Sequence, residues 1–407
     1  MRTRVAWFAV MTYVATCVPA GAQTVVSERD AIAWVAPDSA RARAIRSAVD
    51  VARAEALGPS TWPNPRLTID REAVAGISEV LTTVLQPLPI TGRRTLEREA
   101  AAAAADATGH RADDELRRLR AQVRLAYADL VAAQIREREL TQARERLESL
   151  AGLLAKREAA GDAAGFDRLR AEHEVLDVDA DRGSAAADRA RAQARLAGFS
   201  PIGTNPSTVV AEERAATVPD VPALEVLVER ATRTRGEFLA LQKDLEGARL
   251  AGEAADRRRI PEPEVMAGTK SSSAAGGDLG SVIGVQAVIP LFERGKPEKA
   301  LAEARASQAN ARLEALRATT AAEVATARTI AVERRRAADR YRASVVKSTG
   351  EIERIAQVSY DAGERGILEL LDAYRTSASA RLRQAALDGA AREAEIELEF
   401  VSGWEIP

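Results

Sequence analysis

Two stretches without proline, residues 93–160 and 298–360, constrain this chain more than anything else in it. Both are rich in Ala, Leu, Arg and Glu, residues that lose little on entering a helix. At 1.5 Å per residue, a helix of about 65 residues spans roughly 100 Å. Such a rod cannot hide inside a compact globule. It has to lie in a bundle, a coiled coil or a tube.

Composition agrees. Aromatics make up only 4% of the chain, too few for a mixed α/β core, whereas helices packed through small residues need few. The formal net charge of −2 implies no polyanionic partner, so nucleic acid is not expected. Arg is interleaved with Glu and Asp, the pattern of a solvated helix face. The start reads as an export signal over residues 1–22: Arg2 and Arg4, an apolar run from Val5 to Ala15, then Ala20-Gly21-Ala22 as a cleavage site. Cys17, the single cysteine, lies inside it, and Thr16 before it is large for a lipidation box. A mature chain starting near Gln23 has no thiol, so no disulfide, thiolate metal site or cysteine nucleophile is expected. His110 and His173 sit on charged helical faces without a catalytic constellation around them. No phosphate loop or metal-spaced cluster appears, and neither an enzyme nor a cofactor is expected.

Read in order, residues 27–57 are helical in pattern, with Ser27 as N-cap and Pro37 as a break or kink. Trp62-Pro63-Asn64-Pro65 forces an extended passage. Residues 66–74 and 79–86 read as a β-hairpin turning at Ala75-Gly76. The first long helix follows Thr91-Gly92-Arg93. Its seam of Leu116, Leu119, Val123, Ala126, Leu130 and Ala133 steps by threes and fours and resumes at Leu147, Leu150 and Leu154. Gly161 suits a left-handed C-cap, and residues 166–196 form a shorter helix folding back. Residues 198–222 read as irregular. The plan then repeats: a helix over 223–256, strands over 264–269 and 282–289 around a Ser/Gly-rich turn at 271–280, a long helix from Pro297 to Gly363, and a returning helix over 367–400. Pro87 is echoed by Pro290, Gly92 by Gly295 and Gly161 by Gly363, an offset of about 200 residues that marks a duplication. The expected units are the signal at 1–22, a first repeat at 23–210 and a second at 211–407.

The expected fold class is mainly α, with long antiparallel α-helical coiled-coil hairpins and four strands per chain. Four strands cannot close a barrel, and an open sheet has bare edges. The smallest membrane barrels have about eight strands. Either the four strands form a small soluble sheet, or several subunits pool them.

Several stretches resemble the TolC-type outer-membrane efflux proteins, over essentially the whole mature chain. They are Trp62-Pro63-Asn64-Pro65, then Gln86-Pro87-Leu88-Pro89-Ile90-Thr91-Gly92-Arg93-Arg94, then Ile289-Pro290-Leu291-Phe292, and finally Tyr360-Asp361-Ala362-Gly363-Glu364-Arg365-Gly366-Ile367-Leu368-Glu369-Leu370-Leu371-Asp372-Ala373. The first hairpin is most similar to the branch serving heavy-metal pumps. The resemblance implies a homotrimer with a twelve-stranded transmembrane β-barrel in outer-membrane lipid and its long helices forming an α-barrel below. It also implies a helical tunnel in the periplasm, docked at its tip on a periplasmic adaptor that joins an inner-membrane pump. The implied function is a passive exit duct for efflux or type I secretion. A soluble periplasmic coiled-coil scaffold or adaptor is the alternative, although no stretch supplies the lipoyl-like β domain that adaptors carry.

Family members close the tip with links between neighbouring helical hairpins. The resemblance places that link at Asp167, Tyr360 and Arg365, and an acidic selectivity ring at Glu369 and Asp372. Glu369 is longer than the aspartate the best-known relative places there. Three symmetry-related carboxylates facing one lumen would repel each other and favour cations. Read from the residues alone, Asp167, Glu369 and Asp372 fit ordinary solvated helix positions better, and the resemblance is what turns the reading to a gate. Gly161, Gly165, Gly363 and Gly366, with Ile367 and Leu371, would form the adaptor-binding tip; plain helix capping explains the glycines too. Trp62 and Phe292 flank the strands, either at a membrane interface or in a small equatorial core.

Overall fold

The computed structural model describes residues 24–161, 165–213, 220–274 and 277–404. The expected export signal with Cys17 lies outside them, as does Asp162 in the first helical turn-around.

The chain opens with strand β1 (Thr24–Val26) and helix α1 (Glu28–Ala33). Ser27 caps α1 in a reciprocal capping box with Asp30. Pro37 lies in the break before α2 (Ala40–Glu55), which Ser39 caps, and a single turn, α3 (Leu57–Ser60), precedes the proline-rich passage. The first hairpin is β2 (Arg66–Val74) and β3 (Ile77–Pro87). Helix α4 (Arg93–Ala159) then runs unbroken for 67 residues. Its heptad seam is buried as expected from Leu116 to Leu130 and again at Leu147, Leu150 and Leu154. Helix α5 (Gly165–Ala197) returns along it.

The passage between the halves is not wholly irregular. Strand β4 (Val209–Ala211) pairs in parallel with β1. Side chains from distant helices hold it: Gln134 brackets Ala211, donating to its carbonyl at 2.9 Å and accepting from its amide at 2.8 Å, and Gln193 donates to Val209 O at 2.8 Å.

The helix expected over 223–256 is two, α6 (Leu224–Thr234) and α7 (Gly236–Arg257), parted by extended backbone at Arg235. The cause is close packing. A Cβ on Gly236 would stand 2.1 Å from the carbonyl oxygen of His110 in α4, so only glycine passes there. The second hairpin is β5 (Pro263–Ser272) and β6 (Asp278–Ala287). Its turn is shorter than the Ser/Gly composition suggests, because the ladder with β3 carries Ser271 and Ser272 into the sheet. The second long run is helix α8 (Lys296–Tyr341), one π-helical turn at Arg342–Val346, and α9 (Lys347–Asp361). Helix α10 (Ile367–Ser402) closes the chain.

The hairpins join into one antiparallel sheet ordered β2-β3-β5-β6. Both therefore lie at the same end of the rods. At the other end, Leu150 and Leu154 of α4, Ala171 of α5, Tyr360 of α9 and Leu370 of α10 share one core. Between these extremes the short helices meet end to end beside the long ones. The Arg41 guanidinium of α2 donates to Gly198 O at 2.6 Å and covers Phe199 at the end of α5. Leu227 of α6 and Leu398 of α10 meet beside Val324 of α8.

Candidate functional site

Side chains alternate across a strand, so the ladder sorts the sheet into two faces. One carries Leu67 and Ile69 of β2, Val84 of β3, Val265 of β5, and Leu279, Ile283 and Val285 of β6. All of these are solvent-exposed, Ile283 by 82%. The other face carries Arg66, Thr68, Asp70, Glu72, Glu79, Glu264, Lys270 and Gln286. Its groups satisfy one another: Arg66 pairs with Glu264 at 2.5 Å, Gln286 donates to Glu264 at 2.9 Å, and Lys270 pairs with Glu79 at 2.7 Å. An exposed apolar face backed by a charged one suits a wall between lipid and water. The outer strands β2 and β6 each have one neighbour only, and every position of β2 is exposed. Trp62 and Phe292 join no core among the described residues. They are 63% and 95% exposed at the helical end of the strands, with Ile90 and Leu291. Among the described residues, no helix is long and apolar enough to cross a membrane.

An ionic clasp that sequence reading missed sits midway along the rods. Glu28 of α1 accepts from Arg124 of α4 at 2.7 Å and from Arg392 of α10 at 2.9 Å. Arg124 also pairs with Glu399 of α10, and Arg335 of α8 pairs with Glu395, which is 2% exposed. Burial alone would push the Glu28 carboxyl up, but Arg392 and Arg124 outweigh it and hold the group below its usual range. Burial, then the nearby Glu28 and Glu212, push the Tyr127 hydroxyl up to about 12. That hydroxyl donates to Glu212 O at 2.7 Å, tying α4 to the segment after β4. The charges on four elements thus lock the N-terminal strap to both halves. Arg and Glu are so abundant that no sequence signal marks these six.

At the tip, Gly161 and Gly363 both take left-handed backbone, φ +86° and +76°, as expected for the two turn-arounds. Tyr360 is buried, and its partner is Arg157 of α4. The guanidinium donates to the hydroxyl at 3.2 Å and stacks over the ring. Within the chain Tyr360 is therefore not brought to Asp167 or Arg365. Asp167 is half-buried in the first turn of α5, and Arg365 is exposed just before α10. Among the described residues neither makes a side-chain ion pair. Glu369 and Asp372 are exposed one turn apart on α10.

The expected docking role of Ile367 and Leu371 needs correcting. They are 5% and 6% exposed and belong to the tip core, because they occupy its inward positions on α10. Among the described residues, the apolar side chains that the tip exposes include Phe166 and Leu169 of α5, Val358 of α9 and Leu368 of α10. Their signal was available, since Phe166 and Leu169 stand three apart off the packed seam. Gly165 lies against Glu158, where a Cβ would meet Oε1 at 2.5 Å, and Gly366 lies against Glu369. Glu158 in turn pairs with Arg168 at 2.5 Å. A second polar knot centres on Glu353 of α9, which accepts from Arg146 of α4 at 2.9 Å and from Ser377 and Arg381 of α10 at 2.7 and 3.2 Å.

Residues 227–403 match the outer membrane efflux protein family. The cobalt-zinc-cadmium resistance protein CzcC of Cupriavidus metallidurans is 23% identical over 347 residues, which span 84% of this chain and 81% of that protein. The solved structure of CusC superposes with a TM-score of 0.74 at 17% identity, covering 93% of this chain and 92% of its own. The outer membrane protein VceC of Vibrio cholerae gives 0.73 at 16% identity, covering 92% and 96%. Those structures establish the shared fold, and the family match covers the second hairpin, the second rod and the second half of the tip. Over residues 227–403 the chain matches the outer membrane efflux proteins, and over nearly its whole length it has the fold of CusC and VceC.

Proposed function

We propose that three copies of this chain pool their sheets into one twelve-stranded barrel, with the helices hanging beneath as a single tunnel through the periplasm. The two halves, 23–210 and 211–407, each supply one hairpin and one rod. The bare edges of β2 and β6, on a sheet apolar on one face and charged on the other, carry this reading. A neighbour's strand on each edge satisfies the open backbone groups, and closure leaves no edge. The charged face then lines the water-filled bore.

In this duct nothing is transformed and no cofactor is needed. A periplasmic adaptor meets the tip, and an inner-membrane pump supplies the cargo and the energy. Asp167 and Arg365, both without a partner inside the described chain, link neighbouring subunits and hold the tip shut. Glu369 and Asp372 ring the entrance and favour cations. Similarity to a cobalt-zinc-cadmium resistance protein makes divalent metal cations the cargo this reading prefers.

The test is assembly. Thr68→Cys on β2 and Val282→Cys on β6 should form inter-subunit disulfides in isolated outer membranes and trap a trimer on non-reducing gels. A monomer found in the soluble periplasmic fraction would sink the proposal in favour of a scaffold.

A further inference from the structure

The two rods differ in one respect. Helix α4 is continuous, whereas its counterpart is interrupted by the π-helical turn Arg342–Val346. A π-turn takes up one extra residue, which shifts everything beyond it by one position around the helix. The burial pattern records that shift. Val324, Ala331 and Ala338 are buried at seven-residue steps. Continuing in sevens leads to Val345, Ile352 and Ser359, and Ile352 is 47% exposed. One residue later the steps fall on Val346, Glu353 and Tyr360. Those are the residues facing the rest of the chain: Tyr360 on Arg157, and Glu353 on Arg146 and Arg381. The turn therefore sets which side chains of α9 grip the tip.

The turn is also easy to deform. None of its five residues is buried. On its α10 side lies an open cleft of about 520 Å³ lined by Tyr341, Val345, Thr349, Arg375, Ser379 and Arg383. Close-packed helices resist bending, and this cleft leaves room for it. Side-chain hydroxyls reach three carbonyls of the π-turn. Ser348 donates to Ser344 O at 2.9 Å, and Thr349 donates to Val345 O and Val346 O at 2.9 and 3.1 Å. Hydroxyls can follow a carbonyl through a change of angle that a fixed backbone donor cannot. Beyond the turn, α9 is held by hydrogen bonds and ion pairs as well as by a small core, and such links can be exchanged. Behind it, α8 is anchored by the Arg335–Glu395 pair of the clasp.

We infer that Arg342–Val346 is the hinge of the gate: the equator stays fixed while α9 and the start of α10 pivot at the π-turn, carrying Tyr360 and Glu353 out of their seats when the tip opens. This rests on the channel reading above. The hinge adds to it a place and a register.

The experiment uses the full chain reconstituted in planar bilayers, with Cys17→Ala removing any other thiol. Val345→Cys and Ser379→Cys are joined across the cleft by a reducible bis-thiosulfonate cross-linker. Bridging the hinge should cut the frequency of opening at least tenfold, and dithiothreitol should restore it in the same membrane. Linked channels that open as often as unlinked ones overturn the hinge and leave the duct standing. Unlinked channels that never conduct overturn the duct, and the hinge with it. A variant lacking Ser344 tests the register independently. Removing the extra residue should convert the π-turn to α-helix, keep Tyr360 on Arg157 and lower the opening frequency at least tenfold; a wild-type opening frequency in folded trimers overturns the assignment.

Discussion

Arg157 of α4 donates to the hydroxyl of Tyr360 of α9 at 3.2 Å while its guanidinium lies 5.2 Å from the centre of the same ring. One side chain thus joins the two rods at the tip by both a hydrogen bond and a cation–π contact. Together these are worth about 1–2 kcal/mol at a partly buried site. Arg157→Ala should loosen the tip and raise mean conductance several-fold in planar bilayers. Tyr360→Phe removes the hydrogen bond and keeps the stacking, so it should fall between Arg157→Ala and the parent. Equal effects from the two variants would mean that stacking contributes nothing.

Asp167 and Arg365 lack ion-pair partners within the described chain, yet one is half-buried and the other exposed at the same extremity. If they pair between subunits, Asp167→Ala and Arg365→Ala should each raise single-channel conductance, and the double variant should raise it no further. Exchanging the two, Asp167→Arg with Arg365→Asp, should restore closure. Additive effects of the single changes would separate the residues and remove the link.

Glu369 and Asp372 stand one helical turn apart and exposed on α10. In a threefold assembly each becomes three charges around one axis, and their field on a passing ion is strongest where the bore is narrow and dry. Glu369→Ala with Asp372→Ala should lower the cation-to-anion permeability ratio and weaken block by multivalent cations. Reversal potentials under a salt gradient give the answer. Unchanged selectivity would move the filter to the charged face of the sheet.

The clasp gives the equator a pH limit. Glu28 has a pKa below its ordinary value of 4.5, held there by Arg392 and Arg124 against the opposing effect of burial. A depressed carboxylate contributes stability that is fully present above its unfolded pKa and disappears as pH falls through the folded value. The parent should therefore exceed Glu28→Gln in thermal stability by a constant margin at neutral pH, about 1.5–3 kcal/mol for charge-assisted hydrogen bonds. That margin should shrink below pH 4.5. Melting curves of both proteins across that range decide it, and a margin that survives at low pH would place the stabilisation elsewhere.

What the sequence made legible was whatever is local. The heptad seam from Leu116 to Leu154 repeats at a fixed step and is buried as read. Ser27, Pro37, Gly161 and Gly363 each act on the backbone next to them, and each sits where its chemistry demands. The failures are relations between distant residues. β1 and β4 have three residues each, too few for an alternating pattern, and Gln134 and Gln193 hold β4 from far-off helices. The π-turn shows only as a slip of one residue in the seam, visible once Ile352 is seen exposed and Tyr360 buried. Ile367 and Leu371 could be core or contact surface by composition alone, and packing decided for core.

The sheet supplies the most direct discrimination between membrane and soluble readings, because its two faces predict opposite responses to the same substitution. Ile283 is 82% exposed on the apolar face, and Asp70 lies on the charged one. In a barrel wall, an arginine facing lipid costs about 2–4 kcal/mol near the midplane, whereas one in the bore stays hydrated. Ile283→Arg should therefore reduce the amount of trimer recovered from outer membranes. Asp70→Arg should leave assembly intact and shift reversal potentials toward anions. In a soluble sheet both arginines would be solvated and neither would change the fraction in which the protein is found. Quantifying trimer by gel and selectivity by bilayer recording on the two variants separates the cases: equal recovery of trimer would remove the lipid from the Ile283 face and with it the barrel.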